Sequence, residues 1–239
     1  MKITSTVNTS NAHKSHTMNQ IVKISSTEKV THDVIKIVTD KPDHYIFSPG
    51  QATEVTINKP GWQKEKRPFT FTCLPTDDYL EFTIKTYPEH KGVTNELLKL
   101  KKNDELILHD VFGAILYEKE GVFIAGGAGI TPFIAIFRHL QRQNKIGNNL
   151  LVFANKTKAD IILEKEFKKM LGDAFINILS NEKVNGYHHG MITEEFLKTN
   201  IKNVHQEFYV CGPPPMMDAV LKQLASLRVD KNLITKEAV

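Results

Sequence analysis

The sequence predicts two domains, an antiparallel β-barrel followed by an α/β domain built on a parallel sheet. Three observations carry that reading. Short β-branched and aromatic-rich segments, separated by turn residues, run from Gln20 to about Tyr117. After Glu120 apolar strands alternate with stretches of helical spacing. A glycine-rich turn joins the first of those strands to the first of those helices. Strands at near-regular spacing point to a small antiparallel barrel, whereas strand–helix alternation gives a parallel sheet covered on both faces. The expected division is a polar leader over 1–19, the barrel over 20–117 and the α/β domain over 118–239.

In the barrel half the strand segments are HDVIKIVTD, QATEVTINK, RPFTFTCL, YLEFTIKTY and DELILHD, with turn signals such as SPG and PTDD between them. Within LEFTIK, Leu80, Phe82 and Ile84 alternate with Glu81, Thr83 and Lys85, the pattern of a half-buried strand. One short helix is expected around Thr94–Leu100. In the second half GVFIAGG is a continuous apolar strand, followed by helical spacing through Phe133, Ile136, Phe137 and Leu140. NLLVFAN is the next strand, with a helix over Ile161–Leu171. FINILS is the third, a short helix follows near Glu194–Leu197, and EFYV is the fourth. Three prolines then stop that strand, and a helix is expected over Met216–Leu227.

Composition narrows the function classes. The 239 residues are 41% hydrophobic and 24% charged, ordinary for a soluble globular protein. No apolar run approaches a membrane-spanning length, and residues 1–19 lack the apolar core of a signal peptide. They read as a disordered leader, with Met18 closer to the functional start. The two cysteines, Cys73 and Cys211, stand far apart. That excludes a four-thiolate iron–sulfur cluster and a disulfide scaffold, suggests no bound metal, and fits a reducing cytoplasm. The net charge of +4 is mild. Lysine clusters at Lys59, Lys64 and Lys66, and at Lys99, Lys101 and Lys102, are either solvated surface or a docking face for an acidic partner. No basic stripe interleaved with aromatics suggests nucleic acid.

Four motifs carry chemistry. FIAGGAGITP sets Gly126, Gly127 and Gly129 after an apolar strand, with Thr131 as expected N-cap and Pro132 as first helical residue. Glycines let the backbone approach a pyrophosphate, and a helix N-terminus favours it electrostatically. Because Pro132 replaces the third glycine of G-x-G-x-x-G, a plain tight turn stays open as the alternative. RPFT offers a guanidinium for phosphate at Arg67, a ring face at Phe69 and a hydroxyl at Thr70, although such residues are also ordinary strand chemistry. KGVT places Gly92, Val93 and Thr94 at the start of the barrel's helix. CGPPPM sets Cys211 where a strand meets a stiff turn; ligands of open α/β sheets lie off the carboxyl ends of strands, but a packed thiol is the competing reading.

With RPFT, KGVT, GGAGITP and CGPPPM in this order, the chain from about Gln20 onward resembles the ferredoxin–NADP reductase superfamily, and is similar to its flavodoxin and ferredoxin reductases. The resemblance implies FAD in the barrel and NAD(P)H in the α/β domain. It implies that Arg67, beside Pro68, binds the flavin pyrophosphate, that Phe69 packs on the isoalloxazine and that Thr70 bonds its reactive nitrogen. Ile84, Lys85 and Thr86, with Gly92, Val93 and Thr94, complete the FAD contacts. Gly127, Gly129, Thr131 and Pro132 receive the nicotinamide dinucleotide, with Asn155, Lys156 and Glu182 further along it. Cys211 stands beside the nicotinamide with Gly212, Pro213 and Met216. Three departures accompany the likeness: Phe69 stands where the family often has tyrosine, DVFGAI lacks a proline, and the chain ends ITKEAV, with Glu237 near a family acidic position but no terminal aromatic.

The implied activity is hydride transfer from NAD(P)H to FAD and onward electron delivery to a small carrier such as flavodoxin or ferredoxin, by a cytoplasmic monomer. A free-flavin reductase and a non-catalytic flavin-binding electron-transfer subunit are the alternatives. NADH is expected over NADPH. LVFANKTKADIILEKEF looks like the matching segment of the NADH-using cytochrome and nitrate reductases, and Glu182 would repel a 2′-phosphate. Lys156 and Lys158 oppose that preference.

Overall fold

The computed structural model describes residues 19–237. Residues 1–18 of the leader expected over 1–19, Met18 as a start, and Val239 lie outside the described residues. The first domain comprises β1 (Gln20–Lys29), β2 (Val34–Asp40), β3 (Ala52–Ile57), β4 (Arg67–Thr70), β5 (Tyr79–Lys85), α1 (Val93–Leu97) and β6 (Glu105–Phe112). The strands run β4-β3-β6-β1-β2-β5, each antiparallel to its neighbour. A bridge from Phe71, just beyond β4, to Phe82 of β5 closes the ring. Closure removes the unpaired edge an open sheet would carry. Inside lie Val22, Ile24, Ile37, Val55, Phe71, Leu80, Phe82 and Leu108, all at most 1% exposed.

The second domain contains β7 (Gly121–Gly126), α2 (Thr131–Arg142), β8 (Leu150–Asn155), α3 (Glu164–Leu171), β9 (Phe175–Leu179), β10 (His188–His189), α4 (Glu194–Asn200), β11 (Glu207–Cys211), α5 (Pro214–Ser226) and β12 (Ile234–Lys236). Its sheet is parallel throughout, in the order β10-β9-β8-β7-β11-β12. Alternate residues of the central strands feed two cores. Phe123, Ala125, Phe153 and Tyr209 face α2 and α3, while Val122, Ile124, Phe208 and Val210 face α4 and α5. Strands covered on both faces must be apolar throughout, and all six residues of β7 are buried.

Several elements depart from the sequence expectations. β5 is not half-buried: Glu81 and Thr83 are 6% and 5% exposed, Glu81 held by Arg138 of α2 and Thr83 lying 3.2 Å from the Thr72 hydroxyl. The barrel helix is one turn, Val93–Leu97, shorter than Thr94–Leu100. Helix α3 begins at Glu164 because Leu163 adopts φ 54°, which breaks the helix expected from Ile161. Thr131 is not an N-cap. A 3-10 turn over Gly127–Ile130 precedes α2, Ile130 holds the cap position, and Thr131 is the first helical residue. Helix α5 takes in Pro214 and Pro215, since prolines fit a first turn whose N–H groups have no partner. Strands β1, β10 and β12 lie outside the strand segments expected from the sequence. Ile115 and Tyr117 pack into the second domain's core although the sequence division leaves both with the barrel.

Candidate functional site

The strand order of the parallel sheet reverses at β7. The chain leaves it for β8 on one side, and β11 packs on the other. A crevice opens where the order reverses, beyond the carboxyl ends of those strands. Ala125 of β7 is in register with Cys211 of β11, and Gly126 with Ala154 of β8. The glycine turn and the cysteine therefore share one end of the sheet. Gly129 lies so close to β11 that a Cβ there would stand 2.2 Å from the Cys211 carbonyl oxygen. Gly127 has φ 51°, a conformation glycine adopts freely, and nothing lies within 4 Å of the place its Cβ would take. One glycine is set by packing; the other leaves an opening.

The barrel reaches this crevice through β4. Thr131 Oγ1 donates to the Ala128 carbonyl at 3.0 Å and lies 3.3 Å from Thr70 Oγ1, within hydrogen-bonding distance. RPFT and GGAGIT, 61 positions apart at those two threonines, thus meet in space. Phe69 is half-buried against the barrel core, and Pro68 is exposed. Arg67 Nη1 donates to the Lys66 carbonyl at 2.6 Å, and Nη2 stands 3.9 Å from Glu65 with the side chain 48% exposed. Such a guanidinium retains donors for an anion. Gly92 begins α1 with no side chain capping it, while Val93 is buried and Thr94 half-buried.

Ile84 and Thr86 point inward, 3% exposed each. The Thr86 hydroxyl donates to the Asp33 carbonyl at 2.9 Å, and Lys85 Nζ pairs with Asp33 Oδ2 at 2.6 Å. The side chains of this triplet are therefore engaged within the protein, as is the Thr86 backbone N–H, which donates to the Asp33 carbonyl at 2.7 Å. Burial pushes the Asp33 carboxyl up, but the hydrogen bonds from Lys85 and Thr31 outweigh it and hold the carboxyl below its ordinary value.

Around the crevice Cys211 is 2% exposed, and its thiol donates to Glu237 Oε2 at 3.2 Å. Burial and then the Glu237 charge push this thiol far up, so it is neutral at physiological pH. Met216 lies across Gly126 and Gly212; a Cβ on Gly126 would meet its sulfur at 2.1 Å. Pro213 caps α5. Asn155, at the end of β8, is 8% exposed, yet neither its amide nitrogen nor its amide oxygen has a hydrogen-bond partner. Buried amides are almost always paired, so this one is suited to a polar ligand. Lys156 is exposed. Glu182 is half-buried and accepts the Lys158 backbone N–H at 2.7 Å, which holds it near the β8 turn. An open glycine turn, an unpaired buried amide beside it and a guanidinium with free donors on the facing barrel strand fit two dinucleotides, FAD and NAD(P)H.

Sequence reasoning passed over Arg138 and Glu81, which meet between the domains at 2.6 Å. The one available signal is the pair of arginines, Arg138 and Arg142, one turn apart on a helix whose first two turns are mostly apolar.

Comparisons with known proteins agree with this arrangement. Residues 17–157 match the FAD-binding domain family, and residues 123–222 match the oxidoreductase NAD-binding domain. The reductase component of propane 2-monooxygenase from Mycolicibacterium smegmatis is 30% identical over 91% of this chain, which spans 65% of that relative's length. NADH-cytochrome b5 reductase 1 from Coccidioides immitis is 31% identical over 87% of this chain and 74% of its own. Among solved structures, the FAD/NAD-binding domain of nitric oxide dioxygenase from Vibrio cholerae superposes with a TM-score of 0.82 at 22% identity, covering 92% of this chain and 98% of that one. A ferredoxin NADP+ reductase from Neisseria gonorrhoeae gives 0.78 at 18%, with coverages of 92% and 98%; these two likenesses speak for the fold alone. Ordered motifs, fold and domain matches agree, and the chain belongs to the ferredoxin–NADP reductase superfamily of FAD- and NAD-binding oxidoreductases.

Proposed function

We propose that this chain is a reductase that takes a hydride from NADH onto FAD and delivers the electrons to a separate protein acceptor. The observation that carries the reading is the 3.3 Å contact between Thr70 and Thr131, which brings the two halves of the site face to face. The chemistry that the bound groups supply is hydride transfer from nicotinamide to flavin, followed by electron release. What remains for the protein is positioning and electrostatics.

On this reading Arg67 neutralises the FAD pyrophosphate, Pro68 and Phe69 flank the flavin, and Thr70 holds a hydroxyl at its edge. Backbone from Ile84 to Thr86 and from Gly92 to Thr94 lines the rest of the FAD site. Gly127, Gly129, Thr131 and Pro132 admit the nicotinamide dinucleotide, and the free Asn155 amide bonds one of its polar groups. Cys211 and Gly212 form the floor under the nicotinamide, with Met216 and Pro213 beside it. The Cys211 thiol, neutral and tied to Glu237, holds its proton there and positions rather than attacks. No general base is required.

NADH is favoured because Glu182 is fixed beside the β8 turn, where a carboxylate repels a 2′-phosphate. The name of the NADH-cytochrome b5 reductase relative points the same way. Relatives named as a reductase component and as a cytochrome b5 reductase support an acceptor that is a separate protein, such as an oxygenase component, a cytochrome, a flavodoxin or a ferredoxin. No helix among the described residues is long and apolar enough to cross a membrane. The reading takes the chain to act as a cytoplasmic monomer. Steady-state kinetics of the FAD-loaded protein with NADH and NADPH and a dye acceptor test the reading. A higher kcat/KM for NADPH overturns the nucleotide assignment and points to Lys156, and no turnover with either overturns the function.

A further inference from the structure

Helix α2 touches one short barrel segment at two points. At its first residue Thr131 meets Thr70 at 3.3 Å. Two helical turns later, about 10 Å along the axis, Arg138 reaches Thr72 and Glu81. Its Nη1 donates to the Thr72 carbonyl at 2.7 Å and to Glu81 Oε1 at 2.6 Å. Its Nε and Nη2 hold both oxygens of Glu166 on α3 at 2.6 and 3.0 Å. The Thr72 hydroxyl adds a bond to the same Glu81 oxygen at 2.8 Å. One guanidinium thus joins two helices of the α/β domain to the segment that follows RPFT and to β5.

The two contacts are unequal. The threonine pair is a neutral bond at the long end of the useful range. The Arg138 cluster is charged and forked, with the side chain of Glu81 8% exposed, that of Arg138 22% and that of Glu166 32%. The neighbouring Arg142–Asp77 pair has Arg142 60% exposed, and exposed pairs constrain little. Domains within a chain move against one another unless the interface holds them. The nicotinamide turn sits at one end of α2 and the flavin strand runs beside it, so a tilt of α2 changes the distance between the two reacting rings.

We propose that Arg138 is a positioning residue for hydride transfer, fixing the glycine turn against the flavin strand by tying α2 to Thr72 and Glu81. This inference rests on the reductase reading above. It predicts that the rate of flavin reduction depends on a side chain that touches neither cofactor. A lysine in its place keeps the charge but lacks the planar fork that serves three acceptors at once.

The test uses the FAD-loaded full chain, as wild type, Arg138→Lys, and the double variant Glu81→Gln with Arg138→Met, which leaves no buried carboxylate unpaired. Stopped-flow reduction by NADH yields the limiting rate and the NADH Kd, and absorbance yields retained FAD. Hydrogen exchange of the same proteins without added NADH reports how firmly residues 127–138 are held. The expected result is a limiting rate lower by about ten- to 100-fold in both variants, with FAD bound, Kd within about twofold, and faster exchange in the first turn of α2. A variant that retains FAD but is reduced at the wild-type limiting rate overturns the proposal, as does a rate loss that only tracks loss of FAD or NADH binding. A wild-type protein that neither NADH nor NADPH reduces overturns the reductase reading and this inference with it.

Discussion

Replacing Gly129 by alanine tests how closely the glycine turn is set against β11. The added Cβ would stand 2.2 Å from the Cys211 carbonyl oxygen, 2.4 Å from its carbon and 2.6 Å from the Gly212 Cα. Ordinary contact begins at 3.4 Å, so the turn and the strand end must separate by about 1.2 Å. All three obstructing atoms are backbone, and no rotamer change relieves them. Forcing a methyl into a packed site costs about 1–3 kcal/mol, which lowers Tm by about 2–4 °C per kcal/mol in a chain of this size. The same displacement moves the dinucleotide turn away from Cys211, and misplacing reacting atoms by an ångström costs up to ~100-fold in rate. Gly127→Ala is the comparison. Its Cβ enters open space, so the expected effects are a backbone cost of about 1–2 kcal/mol from φ 51° and a raised NADH Kd, from a methyl in the mouth of the crevice. Urea unfolding with stopped-flow reduction separates the two variants. A Gly129→Ala protein with wild-type stability and a wild-type reduction rate would refute the packing argument.

Arg67→Ala is expected to lose FAD on gel filtration while keeping its fold, because the guanidinium donates only to one neighbouring carbonyl; unchanged affinity removes Arg67 from the site. Cys211→Ala is expected to slow flavin reduction with FAD still bound, and reduction at the wild-type rate would show that the thiol only packs. Cys73 is pushed up to about 12 by burial, and Cys211 is raised as well, so iodoacetamide at pH 8 should label neither thiol until the protein unfolds; mass spectrometry reads this directly. The Asp33 carboxyl has its folded pKa below the ordinary 3.8, so the stability it contributes is present above that pH and is lost as the pH falls through the lower folded value. Urea midpoints measured from pH 6 down to 2 should drop in the acid range, and Asp33→Asn should flatten part of that drop.

The sequence made the change from barrel to parallel sheet legible because the hydrophobic period itself changes near Glu120. The motif order also located both sides of the crevice. What it concealed was tertiary. Glu81 alternates correctly with Leu80 and Phe82, but its burial depends on Arg138, 57 positions away. Thr131 looks like an N-cap, since a residue with a hydroxyl before a proline usually is one. The 3-10 turn that displaces it needs Gly127 at positive φ, which periodicity does not encode. Strand β10 has two residues and β12 three, too short for any alternation to register. Asn155 was legible as a polar residue at a strand end. That both its amide atoms lack partners was visible only once its neighbours were placed.

The connection between the domains bears on how such a chain can be recombined. Tyr209 of β11 is fully buried, and its hydroxyl accepts the backbone N–H groups of Glu118 and Lys119 at 2.9 and 3.1 Å while donating to the Lys119 carbonyl at 2.9 Å. Tyr117 stacks on both Phe123 and Tyr209. The connector is thus a fixed part of the second domain, and a chimera joined at Lys119 would leave that tyrosine hydroxyl and two rings facing a foreign backbone. The seam at which barrels could be exchanged between relatives lies earlier, between the end of β6 at Phe112 and Ile115, where Gly113 turns the chain at φ 131° before the second core begins.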